Sequence, residues 1–272
     1  MQRFHIGKAL ASLTFCNDHV HPTTSYVMTR KTFREEMIAA AATAQTDKVS
    51  HHHYERPYSK CLQRFKDQAT FSMLEIGYGT GAGVSFWRTI FPEAFVYCFD
   101  RDYEGVEDRL KVIKVDQSEL DSLNRGVEQI KRPIDLIIDD GSHHPSHQLL
   151  TFSLLFSEVL RDNGVYAIED IETSYWRNGT LYGYAMNYGL NDPWSTMEAF
   201  KVALDYVNKH FMCDEDKSLL QYRMMSIGLD PDAVAMIEAI TFSQNCIIAD
   251  KIDSAIKLPD LYGNEVRSRR FL

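Results

Sequence analysis

From residue 71 onward, short apolar and β-branched runs alternate with stretches whose apolar residues recur at helical spacing. The runs at 71–76, 94–99, 110–115, 134–139 and 164–168 predict buried strands. Helices are predicted between them at 83–90, 117–129 and 146–160. Alternation of this kind reads as an α/β fold with a doubly wound, mostly parallel sheet. Residues 241–252 predict one or two closing strands, which brings the sheet to seven. Right-handed crossovers would place the C-terminal ends of the strands on one rim, where ligands bind in such sheets. Before residue 70 the pattern is helical, and Lys31 to Ala44 is rich in Glu, Met and Ala. We therefore expect a helical N-terminal arm over 1–60, covering the site, and a main domain over 61–272. Ser195-Thr196-Met197-Glu198 starts a further helix whose expected core face is Met197, Phe200, Leu204, Val207 and Phe211. Asp230-Pro231 starts another.

The composition changes this picture little but excludes several classes. The 272 residues are 44% apolar and 25% charged, an ordinary balance for a folded protein. No apolar run approaches the roughly 20 residues of a spanning helix, so no membrane partner is expected. A formal net charge of −9 argues against a general nucleic-acid binder. Cys16, Cys61, Cys98, Cys213 and Cys246 are scattered and form no C-x-x-C pair, which suggests neither a zinc knuckle nor a disulfide framework. With no signal-peptide pattern at the N-terminus, a reducing, cytoplasmic setting is expected. His51-His52-His53 reads as part of a loop or cover, because adjacent side chains point in different directions.

Candidate chemistry gathers at the predicted strand ends. The first strand runs into Glu75-Ile76-Gly77-Tyr78-Gly79-Thr80-Gly81-Ala82-Gly83, a glycine turn that lets a ligand approach the backbone. Its third glycine comes two residues after the second, which departs from the dinucleotide pattern G-x-G-x-x-G. Glu75 would suit a cationic ligand better than a pyrophosphate. Asp100, 23 residues after Gly77, ends the second strand where a carboxylate can accept from ribose hydroxyls. Asp116 ends the third, where it can accept from an adenine amino group. The fourth strand ends in Asp139-Asp140-Gly141-Ser142-His143-His144 and the fifth in Glu169-Asp170. Asp139 is expected on the cofactor side of its strand tip. Adjacent strands lie about 4.8 Å apart, so Asp140, Glu169 and Asp170 would converge. Three close carboxylates repel unless neutralised, and a hard divalent cation such as Mg²⁺ would do so. His143, beside that cluster, is a candidate general base, with His144 the competing choice.

Glu75-x-Gly77-x-Gly79-x-Gly81, followed by an acid at each of the next two strand ends, resembles the class I S-adenosylmethionine-dependent methyltransferases. That cofactor has ribose, adenine and ammonium groups but no phosphate, so acids suit it. Further blocks are Thr46-Asp47-Lys48…His53-Tyr54…Tyr58, Trp87…Phe91-Pro92, Asp116-Gln117-Ser118, Asp139-Asp140-Gly141-Ser142-His143, Ile168-Glu169-Asp170 and Thr173-Ser174-Tyr175-Trp176. Together they resemble the metal-dependent sugar O-methyltransferases of the mycinamicin type, over about residues 45 to 177.

The resemblance implies a Rossmann-like methyltransferase fold and Mg²⁺ at Asp140, Glu169 and Asp170, with His143 as base. S-adenosylmethionine would be held by Glu75, Gly77, Tyr78, Gly79, Gly81, Asp100, Asp116, Gln117, Ser118 and Asp139. Lys48 and the tyrosines of 46–58 would belong to the cover. The implied reaction is methylation of a hydroxyl on a sugar or glycoside by a homo-oligomeric enzyme. A catechol-type phenol is the alternative acceptor, and an NAD-dependent oxidoreductase or a non-catalytic binding module is the alternative class. The chain departs from the family pattern in lacking a long N-terminal auxiliary domain, in having no extra residues after Gly77, and in doubling the histidine.

Overall fold

Leu74 and Ile76 of the first strand turn to one face of a sheet and Met73 to the other, so both faces must be covered by helices. The structure, a computed structural model, describes residues 31–255. Helices α1 (Phe33–Ala44), α2 (Asp47–Ser50) and α3 (Glu55–Cys61) lead into β1 (Ser72–Ile76) and α4 (Ala82–Ile90). Then come β2 (Phe95–Asp100), β3 (Gly105–Glu107), β4 (Leu110–Lys114), α5 (Leu120–Val127), β5 (Ile134–Asp139), α6 (Pro145–Glu158) and β6 (Leu160–Glu169). A hairpin of β7 (Gly179–Leu181) and β8 (Tyr184–Met186) follows. Helices α7 (Thr196–Val207), α8 (Asp214–Ser226) and α9 (Pro231–Ala235) precede the closing strands β9 (Ile237–Ser243) and β10 (Cys246–Lys251).

The main sheet has the order β3-β4-β2-β1-β5-β6-β10-β9. Its five central strands are parallel, and β3, β10 and β9 are antiparallel to their neighbours. The chain winds outward from β1 through β2 to β4, then returns to β5 on the other side of β1. This reversal makes the β1–β5 crevice the topological switch point, where ligands bind in open α/β sheets.

The expected seven strands become eight, because β3 pairs with β4 along an edge. Three residues with exposed Val106 and Glu107 carry no alternating pattern by which to find them. Leu160, expected to end a helix, instead opens β6. The stripe expected to form the core face of α7 is also corrected. Leu204 and, just beyond α7, Phe211 are exposed, and the buried face is Thr196, Ala199, Phe200, Ala203 and Tyr206. Small alanines there let α7 lie close to its neighbours, while Phe200 of the expected stripe is buried and Met197 and Val207 pack partly buried against the core.

The described residues from Thr32 to Ala255 belong to one compact unit. Phe33, Met37, Tyr54, Tyr58 and Leu62 share a core with Phe86, Trp87 and Phe91 at α4. The segment 32–60, expected as part of an arm, is thus built into the fold, and residues 1–30 of that arm lie outside the described residues. The four cysteines among the described residues are unpaired. No helix among them is long and apolar enough to cross a membrane.

Candidate active site

The glycine turn is dictated by close packing at the switch point. Gly77 has φ +97°, and a Cβ there would lie 2.1 Å from the Asp140 carbonyl oxygen. Only glycine lets the two strand tips approach so closely. The Gly77 N–H donates to Phe99 O and the Asp140 N–H to Ile76 O, which ties β1 to both neighbours just beyond their ends. Gly79, also with positive φ, borders a cavity whose lining includes Gly77, Asp100, Asp116, Gln117, Asp140, Gly141, Ser142, Tyr182 and Tyr184. Gly81 is the N-cap of α4.

Two predicted acids border this cavity and also shape it. Asp100 accepts from the Tyr78 N–H through Oδ2 (2.9 Å) and from the Asp102 and Tyr103 N–H groups through Oδ1 (2.8 Å each). The Tyr78 ring stacks on Tyr103 with centroids 4.5 Å apart. Asp116 accepts from the Ser118 N–H and hydroxyl. Partial burial works to raise its pKa, but those bonds hold it below the ordinary value.

Asp139 stands behind the cavity. It is fully buried, and Gln117 Nε2 donates to both its oxygens at 2.8 and 2.9 Å. Gln117 Oε1 in turn accepts from the Ser142 N–H at 2.9 Å. Asp139 therefore sets Gln117, which borders the cavity, and burial pushes its own pKa to about 7.

Glu75 was expected to meet a cation, and within the protein that cation is Lys48. The Lys48 ammonium is 2.5 Å from Asp140 Oδ2, 2.6 Å from Glu169 Oε2 and 3.4 Å from Glu75 Oε1. Trp87 Nε1 donates to Glu75 Oε1 at 3.1 Å, and Gly83 leaves room, since a Cβ there would be 2.4 Å from that oxygen. Burial raises Glu75 to a pKa of about 7 against the pull of Lys48. For Lys48 burial works downward, but the three carboxylates hold it well above its ordinary value.

Lys48 joins two of the three expected metal ligands, Asp140 and Glu169. Both oxygens of Glu169 are taken, one by Lys48 and the other by the Tyr58 hydroxyl at 2.5 Å. Asp140, His143 and Asp170 instead present one ligand atom each, all within 4.8 Å of one another. The two carboxylates suit a hard divalent cation, and the imidazole stands beside them with a nitrogen free to take a proton. His143 and Asp170 have φ of +56° and +54°, and such strain in non-glycine residues concentrates at functional sites. His143 Nε2 lies 3.5 Å from Asp170 Oδ2, and its buried Nδ1 has no hydrogen-bond partner. His144, the competing histidine, is the N-cap of α6; its Nδ1 meets Ser146 Oγ and its Nε2 meets Tyr188 OH. Of the two histidines, His143 lies at the cluster and His144 is turned to neighbouring side chains.

Asp170 Oδ1 accepts from the Tyr54 hydroxyl (2.6 Å) and from Asn245 Nδ2 (2.9 Å). His52 Nδ1 is 3.2 Å from the same oxygen. Sequence reasoning missed Asn245, which sits in the β9–β10 turn, and the pairing of Lys48, Tyr54 and Tyr58 with named carboxylates. The one signal was the lysine and two tyrosines spaced along 48–58.

No family model matches the chain. It is 35% identical over 140 residues to 8-demethyl-8-alpha-L-rhamnosyl tetracenomycin-C 2'-O-methyltransferase of Streptomyces olivaceus, covering 48% of this chain and 36% of that protein. It is 33% identical over 167 residues to L-olivosyl-oleandolide 3-O-methyltransferase of Streptomyces antibioticus, covering 58% of this chain and 42% of that protein. The chain thus spans less than half the length of these relatives. Among solved structures, MycE methyltransferase of the mycinamycin pathway, in complex with Mg and SAH, matches with a TM-score of 0.66 and 22% identity. The match covers 80% of this chain and 54% of MycE, and a MycE complex that also holds mycinamycin VI matches at 0.65. The chain shares the fold of MycE and, over about half its length, is similar in sequence to sugar O-methyltransferases.

Proposed function

We propose that the protein is a Mg²⁺-dependent O-methyltransferase that moves the methyl group of S-adenosylmethionine to a hydroxyl of a sugar or glycoside. The observation that carries this reading is the convergence of Asp140, His143 and Asp170 beside a glycine-turn cavity at the β1–β5 switch point. The names of the relatives, all O-methyltransferases acting on glycosylated compounds, support it.

In this reading Gly77, Gly79, Asp100, Asp116 and Gln117 bind the cofactor directly. Glu75, Tyr78, Gly81, Ser118 and Asp139 hold those groups in place. Asp140, Glu169 and Asp170 would hold the cation, with Lys48 lying between Asp140 and Glu169. When bound, the cation supplies a Lewis acid that lowers the pKa of an acceptor hydroxyl. His143, through the Nε2 turned toward Asp170, takes the hydroxyl proton as the oxygen attacks the methyl carbon. The carbon–sulfur bond breaks, and the products are a methyl ether and S-adenosylhomocysteine. Orientation by the rim contributes up to roughly 7–11 kcal/mol, and a positioned base about 10²–10⁴-fold.

The same proposal makes 32–60 part of the wall of the site and the protein a cytoplasmic homo-oligomer that does not bind nucleic acid. The test is transfer of labelled methyl from S-adenosylmethionine to a panel of rhamnosides and catechols, with and without chelator. Transfer to glycosides that stops in chelator is the expected result. Full activity in chelator would remove the metal, and transfer to catechols alone would make the acceptor a phenol.

A further inference from the structure

The β7–β8 hairpin carries a tyrosine where its turn calls for another residue. Its two turn positions, Tyr182 and Gly183, have φ of +53° and +88°, as two-residue hairpin turns require. Asparagine or aspartate is the favoured partner of glycine there, and a bulky residue in the left-handed region is strained. Packing does not explain the choice, because Tyr182 is 61% exposed. Position does. The ring borders the same cavity as Gly77, Asp100 and Asp140, and its centroid is 5.7 Å from that of His143.

The tip rests on an anchored base. Tyr184 packs edge-on against His147 with centroids 4.7 Å apart, and Arg101 Nη1 donates to its hydroxyl at 3.4 Å. Beyond the hairpin, the Tyr188 N–H donates to Trp176 O at 2.7 Å. An aromatic ring held beside the candidate base, with most of its surface uncovered, offers an apolar face to a ring-shaped ligand and loses water when that ligand arrives.

We infer that Tyr182 is a specificity-determining residue, an aromatic platform on which the ring bearing the acceptor diol lies while its hydroxyls meet the Asp140–His143–Asp170 cluster. The inference rests on the proposed methyl transfer and adds the acceptor side of the site. Both a pyranose and a catechol present a ring with neighbouring hydroxyls, so the test uses one probe of each kind.

Methyl α-L-rhamnopyranoside and catechol are titrated separately into the protein loaded with S-adenosylhomocysteine and Mg²⁺. Parent, Tyr182→Phe and Tyr182→Ala are compared, with thermal unfolding and S-adenosylhomocysteine affinity measured alongside. Tyr182→Ala should weaken the bound probe about five- to tenfold, more than it weakens S-adenosylhomocysteine, and Tyr182→Phe should restore the probe. The probe that binds identifies the source of the ring. Unchanged probe affinity in Tyr182→Ala, equal losses in Ala and Phe variants, or no binding of either probe by the loaded parent would overturn the inference. Failure of the parent to bind S-adenosylhomocysteine would instead remove the methyltransferase reading, and the inference with it.

Discussion

Lys48 and Glu169, 121 positions apart, form a buried ion pair with Nζ 2.6 Å from Oε2. The lysine comes from α2 and the glutamate from the end of β6, so the pair joins the N-terminal helices to the rim of the sheet. Removing one partner of such a pair strands a charge in a low-dielectric site, which costs about 3–5 kcal/mol. Lys48→Met should lose stability of that order in urea unfolding. Lys48→Met with Glu169→Gln should lose less, because one fewer carboxylate is left without its cation, although Asp140 and Glu75 still lose theirs. A single variant within about 0.5 kcal/mol of the parent would mean that the pair contributes nothing.

Gly77→Ala is the sharpest test of the turn. The substitution brings a Cβ against the Asp140 carbonyl and strains a φ of +97°, so the β1 and β5 tips must separate. Stability should fall by at least about 1–3 kcal/mol, and S-adenosylhomocysteine affinity should fall with it. An alanine variant that binds like the parent would show that the close approach is dispensable.

Acid should weaken the fold through His147. Burial first, then His144, lowers its pKa from 6.5 to about 4 in the folded state. The unfolded chain therefore binds more protons between those values, and stability is lost as pH falls from about 6.5 to about 4. His147→Asn keeps an acceptor for the Ser142 hydroxyl, which meets Nδ1 in the parent. Its stability relative to the parent should rise as pH drops through that window and stay constant above it. Parallel curves for the two proteins from pH 4 to 7 would contradict this.

His143→Ala and Asp140→Asn separate proton transfer from cation binding. The first should keep S-adenosylhomocysteine binding and lose about 10²–10⁴ in turnover. The second should lose metal-dependent activity and Mn²⁺ binding measured by electron paramagnetic resonance, with the fold intact. Parent-like turnover in His143→Ala would take the base assignment away from it.

The strands were legible because each buried strand carries its own apolar run, and Gly77 and Asp100 stand where those runs end. The cluster at Asp140 and Asp170 was legible for the same reason: parallel topology turns strand ends into neighbours. The edge strand β3 was not, since three residues with exposed Val106 and Glu107 carry no periodic signal. Nor were the contacts that hold Glu169. Its partners, Lys48 and Tyr58, lie in helices whose packing against the rim is set by long-range contacts. Asp139 and Asp140 are adjacent in sequence, yet successive strand residues point to opposite faces, and Asp139 ends behind the cavity rather than on it.

The central claim is that the β1–β5 crevice takes S-adenosylmethionine and that a cation binds beside it. Calorimetric titration of the purified protein with S-adenosylhomocysteine and with NAD, each with and without Mg²⁺, tests it most directly. Saturable one-to-one binding of S-adenosylhomocysteine and none of NAD is the predicted result. Binding of NAD alone would contradict the account, and the acids lining the cavity would then need another explanation.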